Sequence, residues 1–181
     1  MAPEPKVIIR PARPDDAAGL LAIYEPVVRS TTISFEESPP ALEEFERRMQ
    51  HALEHYAWLV ACVGDCPAGY AYATRFRERS AYRFSTETTI YMAQDFHGRG
   101  IGRLLYLDLF RALSERGLHS AFAGITLPND ASVAFHRSLG FSHVGTLREV
   151  GFKFGRWHDV SWWQRPVVLD NGNQPLAPHP E

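Results

Sequence analysis

Gln94-Asp95-Phe96-His97-Gly98-Arg99-Gly100-Ile101-Gly102 separates a β-branched and aromatic run at 88–92 from a strongly helical one at 103–115. The order predicts a strand, a glycine-rich turn and a helix start. Glycines at alternate positions, Gly98, Gly100 and Gly102, permit dihedrals that a Cβ forbids and let a ligand approach the main chain. The first amides of a helix have no acceptor within it and sit at the positive end of its dipole. The turn therefore suits a phosphate or pyrophosphate, and the rest of the chain is read around that anion cradle.

Upstream, residues 85–92 form a strand in which Glu87 interrupts a run rich in Thr and Ile. It is either a surface residue on an alternating strand or a buried carboxylate with a shifted pKa that accepts protons. Residues 58–63 and 68–74 read as a hairpin about Gly64-Asp65-Cys66-Pro67. Between them and Glu87, Arg75, Arg77, Arg79 and Arg83 interleave with Phe76, Tyr82 and Phe84, either as a solvated basic connector or as a loop that holds a carboxylate. The chain opens with a strand at 7–10 and a helix capped by Asp15 or Asp16, with Ala18, Leu21, Tyr24 and Val28 on its buried face. A β-branched connection at 31–36 contains Phe35. Pro39-Pro40 then starts a second helix to about 55, buried along Leu42, Phe45, Met49 and Leu53.

Downstream, Leu104, Leu105, Leu107, Leu109, Phe110 and Leu113 give the 103–115 helix a wide apolar face, ended by Gly117. A strand at 120–126 leads to a helix capped by Asn129 or Asp130 and closed by Gly140. Strands at 143–150 and 157–166 flank a turn region at 151–156. The elements add up to a mixed α/β fold with about seven strands.

A length of 181 residues supports one sizeable core, expected over 1–169, with a flexible Pro-rich tail at 170–181. Net charge is −2 and the basic residues are scattered, which argues against nucleic acid or an acidic membrane surface as partner. No apolar run reaches bilayer length, and prolines at the start of the chain occupy the place of a signal peptide's apolar core, so a cytoplasmic location is expected. Cys62 and Cys66 make neither a disulfide framework nor a zinc site. His51 and His55 stand four apart, but no third ligand accompanies them, and no metal is expected.

Two better-known phosphate motifs fail at the central turn. A P-loop ends in Gly-Lys-Ser/Thr, whereas Gly102 precedes Arg103-Leu104, and a dinucleotide fingerprint needs glycine where Arg103 stands. The turn instead resembles the acetyl-CoA signature of the GNAT acetyltransferases, Gln/Arg-x-x-Gly-x-Gly/Ala, with His97 at its first position and Gly100 and Gly102 as its glycines. Asn129-x-x-Ser132-x-x-Phe135-His136-x-x-x-Gly140-Phe141 matches a second element of that family, with His136 where many members carry a tyrosine general acid. Residues 86–92, 127–133 and 153–160 are similar to phosphinothricin N-acetyltransferases.

The resemblance implies a central, mostly antiparallel mixed sheet flanked by helices, acetyl-CoA as cosubstrate and a homodimer. It implies catalysis by Glu87 and His136. The cosubstrate is expected on Ile90, Tyr91, Met92, His97, Gly98, Arg99, Gly100, Ile101, Gly102, Arg103 and Asn129, and a small amino acid such as phosphinothricin or methionine sulfoximine near Phe35, Arg79 and Tyr82. The chemistry suits those roles, since only a neutral amine attacks a thioester and a base must first take its proton. Backbone N–H groups near Met92 suit an oxyanion, and His136 suits the leaving thiolate or a share of the base role. Tyr91 is an alternative acid. Another amine or a peptide N-terminus as acceptor, a non-catalytic CoA sensor and an interaction module remain open at this level.

Overall fold

The computed structural model describes residues 6–167, so the expected tail lies outside the described residues. The elements are β1 (Val7–Pro11), α1 (Ala17–Ser30), α2 (Leu42–His55), β2 (Trp58–Val63), β3 (Cys66–Arg75), β4 (Ser85–Met92), α3 (Ile101–Glu115), β5 (Ser120–Thr126), α4 (Asp130–Ser138), β6 (Ser142–Lys153) and β7 (Arg156–Pro166). They build one seven-stranded sheet in the order β1-β2-β3-β4-β5-β7-β6. Every pairing is antiparallel except β4 with β5.

Strand alternation sends side chains to two cores. On one face, α1 and α2 cover Trp58, Val60 and Tyr70 with Leu20, Tyr24, Val28, Phe45 and Met49. On the other, Leu105, Tyr106, Leu109 and Leu113 of α3 pack on Leu59, Ala61, Ala71, Ala73 and Ala121. The small residues at the strand positions let α3 approach the sheet closely. Its contact line runs along the i, i+4 row from Ile101, which explains two departures from the expected stripe: Leu104 is exposed and Leu107 half-buried, while the unforeseen Tyr106 is fully buried.

Similar one-residue rotations occur in the first two helices. Ala17 and Leu20 are buried where Ala18 was expected, and Ala52 takes the place of the half-buried Leu53, with Leu42 exposed. Asp16 does not cap α1 through its side chain. Its carboxylate accepts from the Arg13 amide at 2.7 Å and from the Arg10 guanidinium at 2.7 and 2.8 Å. Gly117 and Gly140, with φ of 76° and 84°, stop α3 and α4 as expected. The last hairpin is tighter than the sequence suggested: β6 continues to Lys153, and only Phe154 and Gly155, both at positive φ, form the turn.

Candidate active site

The parallel pair β4–β5 is in register only from Ser85–Ser120 to Glu87–Phe122. Beyond Glu87 the strands part, and the Thr88 hydroxyl donates to the Phe122 carbonyl at 3.1 Å at the point of separation. Ala93 N donates to Ala68 O on the β3 side at 2.9 Å. By strand alternation, Ile90 and Met92 therefore turn their N–H groups toward the edge that β5 has left. The result is a V-shaped opening with backbone donors along one wall.

A cleft of about 520 Å³ runs from this opening to the glycine turn. Ile90, Tyr91, Met92, His97, Gly98, Gly100, Ile101, Gly102, Arg103 and Asn129 all line it, as do Val27, Ile33, Phe96, Ala131, Ser132 and Phe135, which were not among the expected contacts. Ser132 and Phe135 lay within the second motif, whereas Val27 and Ile33 arrive from α1 and the following loop and carried no local signal. Arg99 is absent from the lining, and its guanidinium rests 5.2 Å from the centre of the Phe96 ring.

The cradle fits a pyrophosphate. Gly98 and Gly100 have φ of 73° and 76°, and a Cβ on either would meet nothing within 4 Å, so the space above them is open. The first hydrogen bonds of α3 run from Arg103 and Leu104 to the Gly100 carbonyl at 3.1 and 3.3 Å. The amides of residues 98–102 are left without an acceptor among the described residues. His97 does not join them; its Nε2–H donates back to the Met92 carbonyl at 3.1 Å and closes the turn. The Asn129 side chain accepts from Ser132 N at 3.1 Å, capping α4 at the opposite wall.

Glu87 stands at the vertex of the V, half-buried, on the face covered by α1 and α2. Burial raises its pKa, and the charge of Arg77 partly opposes that shift. Arg77, absent from the expected set, is held by the Phe76 and Trp162 rings at 4.5 and 5.8 Å, and Phe76 stacks on Phe122 at 4.0 Å. Arg79 is exposed at the start of a 3-10 turn, and the exposed Tyr82 meets Phe76 edge-on at 6.0 Å. The 75–84 loop thus presents an aromatic cluster, with Arg77 close enough to act on Glu87.

Phe35 belongs to a loop that the last hairpin grips. Its ring lies against Gly151, where any Cβ would overlap it, and 6.1 Å from the His158 ring. The buried Lys153 donates from Nζ to the Val28 and Ser34 carbonyls at 2.6 and 2.7 Å, tying β6 to both ends of the loop.

His136 occupies the opposite side of the sheet from Glu87. It is 4 % exposed, and it does not line the cleft. Its ring lies in the α3–α4 core, with Nε2 3.1 Å from the Tyr106 hydroxyl. The Thr88 hydroxyl, on the same side of the sheet, is spent on the Phe122 carbonyl. The two candidate catalytic groups therefore lie on opposite faces of the sheet, and among the described residues no hydrogen-bonded path joins them. Tyr91, on the cleft wall, also packs against Tyr24 and Tyr70 at 4.8 and 5.5 Å.

Among the described residues no group of three or more His, Cys, Asp or Glu side chains is arranged to hold a metal, and none of the helices is long and apolar enough to cross a membrane. Cys62 and Cys66 are free thiols.

Residues 9–162 match the acetyltransferase (GNAT) domain family. A phosphinothricin N-acetyltransferase of Streptomyces coelicolor is 44% identical over 169 residues, covering 90% of this chain and 97% of the relative. An L-methionine sulfoximine/L-methionine sulfone acetyltransferase of Pseudomonas paraeruginosa is 36% identical, covering 86% and 92%. The crystal structure of a GNAT superfamily phosphinothricin acetyltransferase from Sinorhizobium meliloti in complex with acetyl-CoA superposes with a TM-score of 0.87 at 34% identity, covering 94% of this chain and 93% of that one.

Proposed function

The chain belongs to the GNAT acetyltransferase family, and from that premise we propose that it acetylates the α-amine of a small amino acid or analogue, with phosphinothricin and methionine sulfoximine as the first candidates. The observation that carries this reading is the parting of β4 from β5 at Glu87, with a cradle of unpaired amides at the far end of the same cleft. Acetyl-CoA would lie with its pyrophosphate on residues 98–102, and it supplies an activated thioester.

The chain's own groups supply the rest. An α-amine is mostly protonated at neutral pH, and Glu87, made more basic by burial, takes its proton directly or through water. The N–H groups of Ile90 and Met92 provide fixed donors for developing negative charge. Arg79 and Tyr82 orient the acceptor's acid group, and Phe35 closes the site from the α1 side. His136 is shielded from the cleft, and its Nε2 is engaged by the Tyr106 hydroxyl. No metal takes part in this scheme.

We read the protein as a cytoplasmic homodimer. The dimer is supported by Val144, Leu147, Val150, Phe152 and Trp157, apolar and about half exposed along the edge strand β6 and its partner β7. The deciding experiment is a steady-state measurement of free CoA release from acetyl-CoA with phosphinothricin, methionine sulfoximine and a panel of amino acids. Binding of acetyl-CoA without turnover of any amine would favour a sensor instead.

A further inference from the structure

A second cavity, of about 270 Å³, lies where the ends of α2, β3 and α3 meet the approach to β4. The glycine turn follows the other end of β4. Eight residues of strand at about 3.3 Å each separate the two by roughly 25 Å, so a cosubstrate phosphate on residues 98–102 does not fill this cavity. Its lining includes His51 and His55, one turn apart on α2, with Arg75, Arg83 and Arg116, and it contains no Asp or Glu.

The arginines are set in place by contacts that leave donors over. Arg116 donates to the Leu53 and Glu54 carbonyls at 3.0 Å each, which ties it to the last turn of α2. Arg83 rests 4.4 Å from the centre of the Phe84 ring and makes one long bond, of 3.3 Å, to the Ser80 carbonyl. Arg75 is paired with Glu78 at 2.8 Å, but the Glu78 side chain is 89 % exposed, and so open a pair is worth little against a better anion. A guanidinium carries five N–H donors, of which these bonds use one or two. The His51 and His55 rings stand beside them, 4.6 Å apart.

The surplus of donors decides the sign of the ligand. A His pair at i, i+4 can hold a metal ion, but three permanent positive charges around it repel a cation, and no third ligand joins the pair among the described residues. Guanidinium forks match the oxygens of a phosphate, and each imidazole adds at least one N–H. We propose that this cavity binds a compact multivalent oxyanion of the phosphate class, such as pyrophosphate or a small phosphate monoester. Arg75 and Arg83 bracket the 76–82 segment, so an anion that bridges them fixes both ends of the stretch that carries Arg77, Arg79 and Tyr82. Its occupancy thereby regulates binding of the acceptor. That consequence rests on the acceptor site proposed above, whereas the anion site itself does not.

Calorimetric titration of the full chain with inorganic pyrophosphate, in saturating acetyl-CoA so that the cradle is filled, tests the site without requiring turnover. One equivalent should bind, more weakly as salt is raised. Arg75→Ala and Arg83→Ala, both at exposed positions, should each weaken it at least tenfold, the worth of a charge-assisted hydrogen bond, and leave acetyl-CoA affinity at the wild-type value. Joint replacement of His51 and His55 by Ala leaves the loop untouched and should weaken pyrophosphate in the same direction. No binding of pyrophosphate, or binding that both arginine variants retain, would overturn the proposal. Binding of nickel in place of pyrophosphate would mark the His pair as a cation site and overturn it as well. In assays of CoA release at saturating acetyl-CoA, pyrophosphate should lower the acceptor KM severalfold in the wild type and leave it unchanged in Arg83→Ala. A wild-type acceptor KM that pyrophosphate does not move would overturn the regulatory role and leave an adventitious ion only. Should no amine be turned over, the calorimetry still decides the site, so the acceptor reading and the anion site fail separately.

Discussion

The two ring nitrogens of His136 are held in opposite senses: Nδ1 is 2.8 Å from the Ser132 carbonyl, and Nε2 is 3.1 Å from the Tyr106 hydroxyl. A carbonyl only accepts, so Nδ1 carries the proton, Nε2 offers a lone pair, and Tyr106 donates to it. Burial lowers the pKa of the ring, and the Ser132 carbonyl opposes that shift. His136 is thus held as a neutral ring that accepts from Tyr106, which suits an acceptor's role better than that of an acid.

This pairing has a consequence for stability. With its folded pKa below the unfolded one near 6.5, the unfolded chain binds a proton first, so stability from this group is complete above that pH and is lost as pH falls through the folded value. Denaturant unfolding from pH 7.5 down to pH 5 should show this loss, and His136→Gln should flatten it. A variant that keeps the wild-type slope would assign the acid sensitivity elsewhere. Tyr106→Phe at neutral pH should lower stability by about 1–3 kcal/mol by leaving Nε2 buried without its donor.

Glu87 has the reverse sign. Its folded pKa is raised by burial, so the folded state holds a proton that the unfolded state has lost, and stability falls as pH rises through that window. Glu87→Gln should therefore melt above the wild type at pH 7 and converge with it near pH 4. The same substitution should cut kcat by roughly 10²–10⁴ while acetyl-CoA affinity, measured by calorimetry, stays within error. An active Gln variant would remove the base assignment. In the wild type, kcat should rise with pH along a limb displaced above the ordinary carboxylate range.

What the sequence made legible follows the range of the interactions. The cradle, the hairpin at Gly64, the Asn129 cap and the glycine stops depend on neighbours a few residues apart, and all appear in their expected places. The alternation of β4 was readable too, but which face Glu87 takes depends on pairing with Thr74 and on which helices cover that side. Tyr106 looks like an ordinary core aromatic in sequence; its hydroxyl gains meaning only from a residue 30 positions away. Arg77 was one of four arginines in a loop, distinguished from Arg79 only by the Phe76 and Trp162 rings that hold it.

Gly100 allows cradle and fold to be separated. Its φ of 76° makes any side chain strained, at roughly 1 kcal/mol, but a Cβ would meet no protein atom within 4 Å. Gly100→Val should consequently lower the melting temperature by only a few degrees and raise the KM for acetyl-CoA at least tenfold, because the obstruction lies where the ligand would sit. Calorimetry showing unchanged acetyl-CoA affinity would overturn the cradle.

The grip of the last hairpin on the 31–36 loop predicts an acceptor-side defect far from the cradle. Gly151→Ala would set a methyl group into the Phe35 ring, and the ring, half-exposed, is the part able to yield. Lys153→Met would remove the donors to the Val28 and Ser34 carbonyls, each worth about 1.5–3 kcal/mol as a hydrogen bond from a charged group. Gly151→Ala should therefore raise the KM for the amino acid severalfold with little loss of stability. Lys153→Met should lower stability by a few kcal/mol and raise the same KM. In Gly151→Ala the KM for acetyl-CoA should stay near the wild-type value, since Phe35 and the cradle lie on separate elements; Lys153→Met also releases the stretch whose Val27 and Ile33 line the cleft, and should raise that constant too. If both Michaelis constants rise together in Gly151→Ala, the hairpin shapes the whole cleft rather than Phe35; if neither moves, Phe35 lies outside the acceptor site. Lys153→Arg separates the charge from its reach, because a guanidinium can meet one carbonyl but its planar fork does not suit two on different segments. Its acceptor KM should fall between those of the wild type and Lys153→Met.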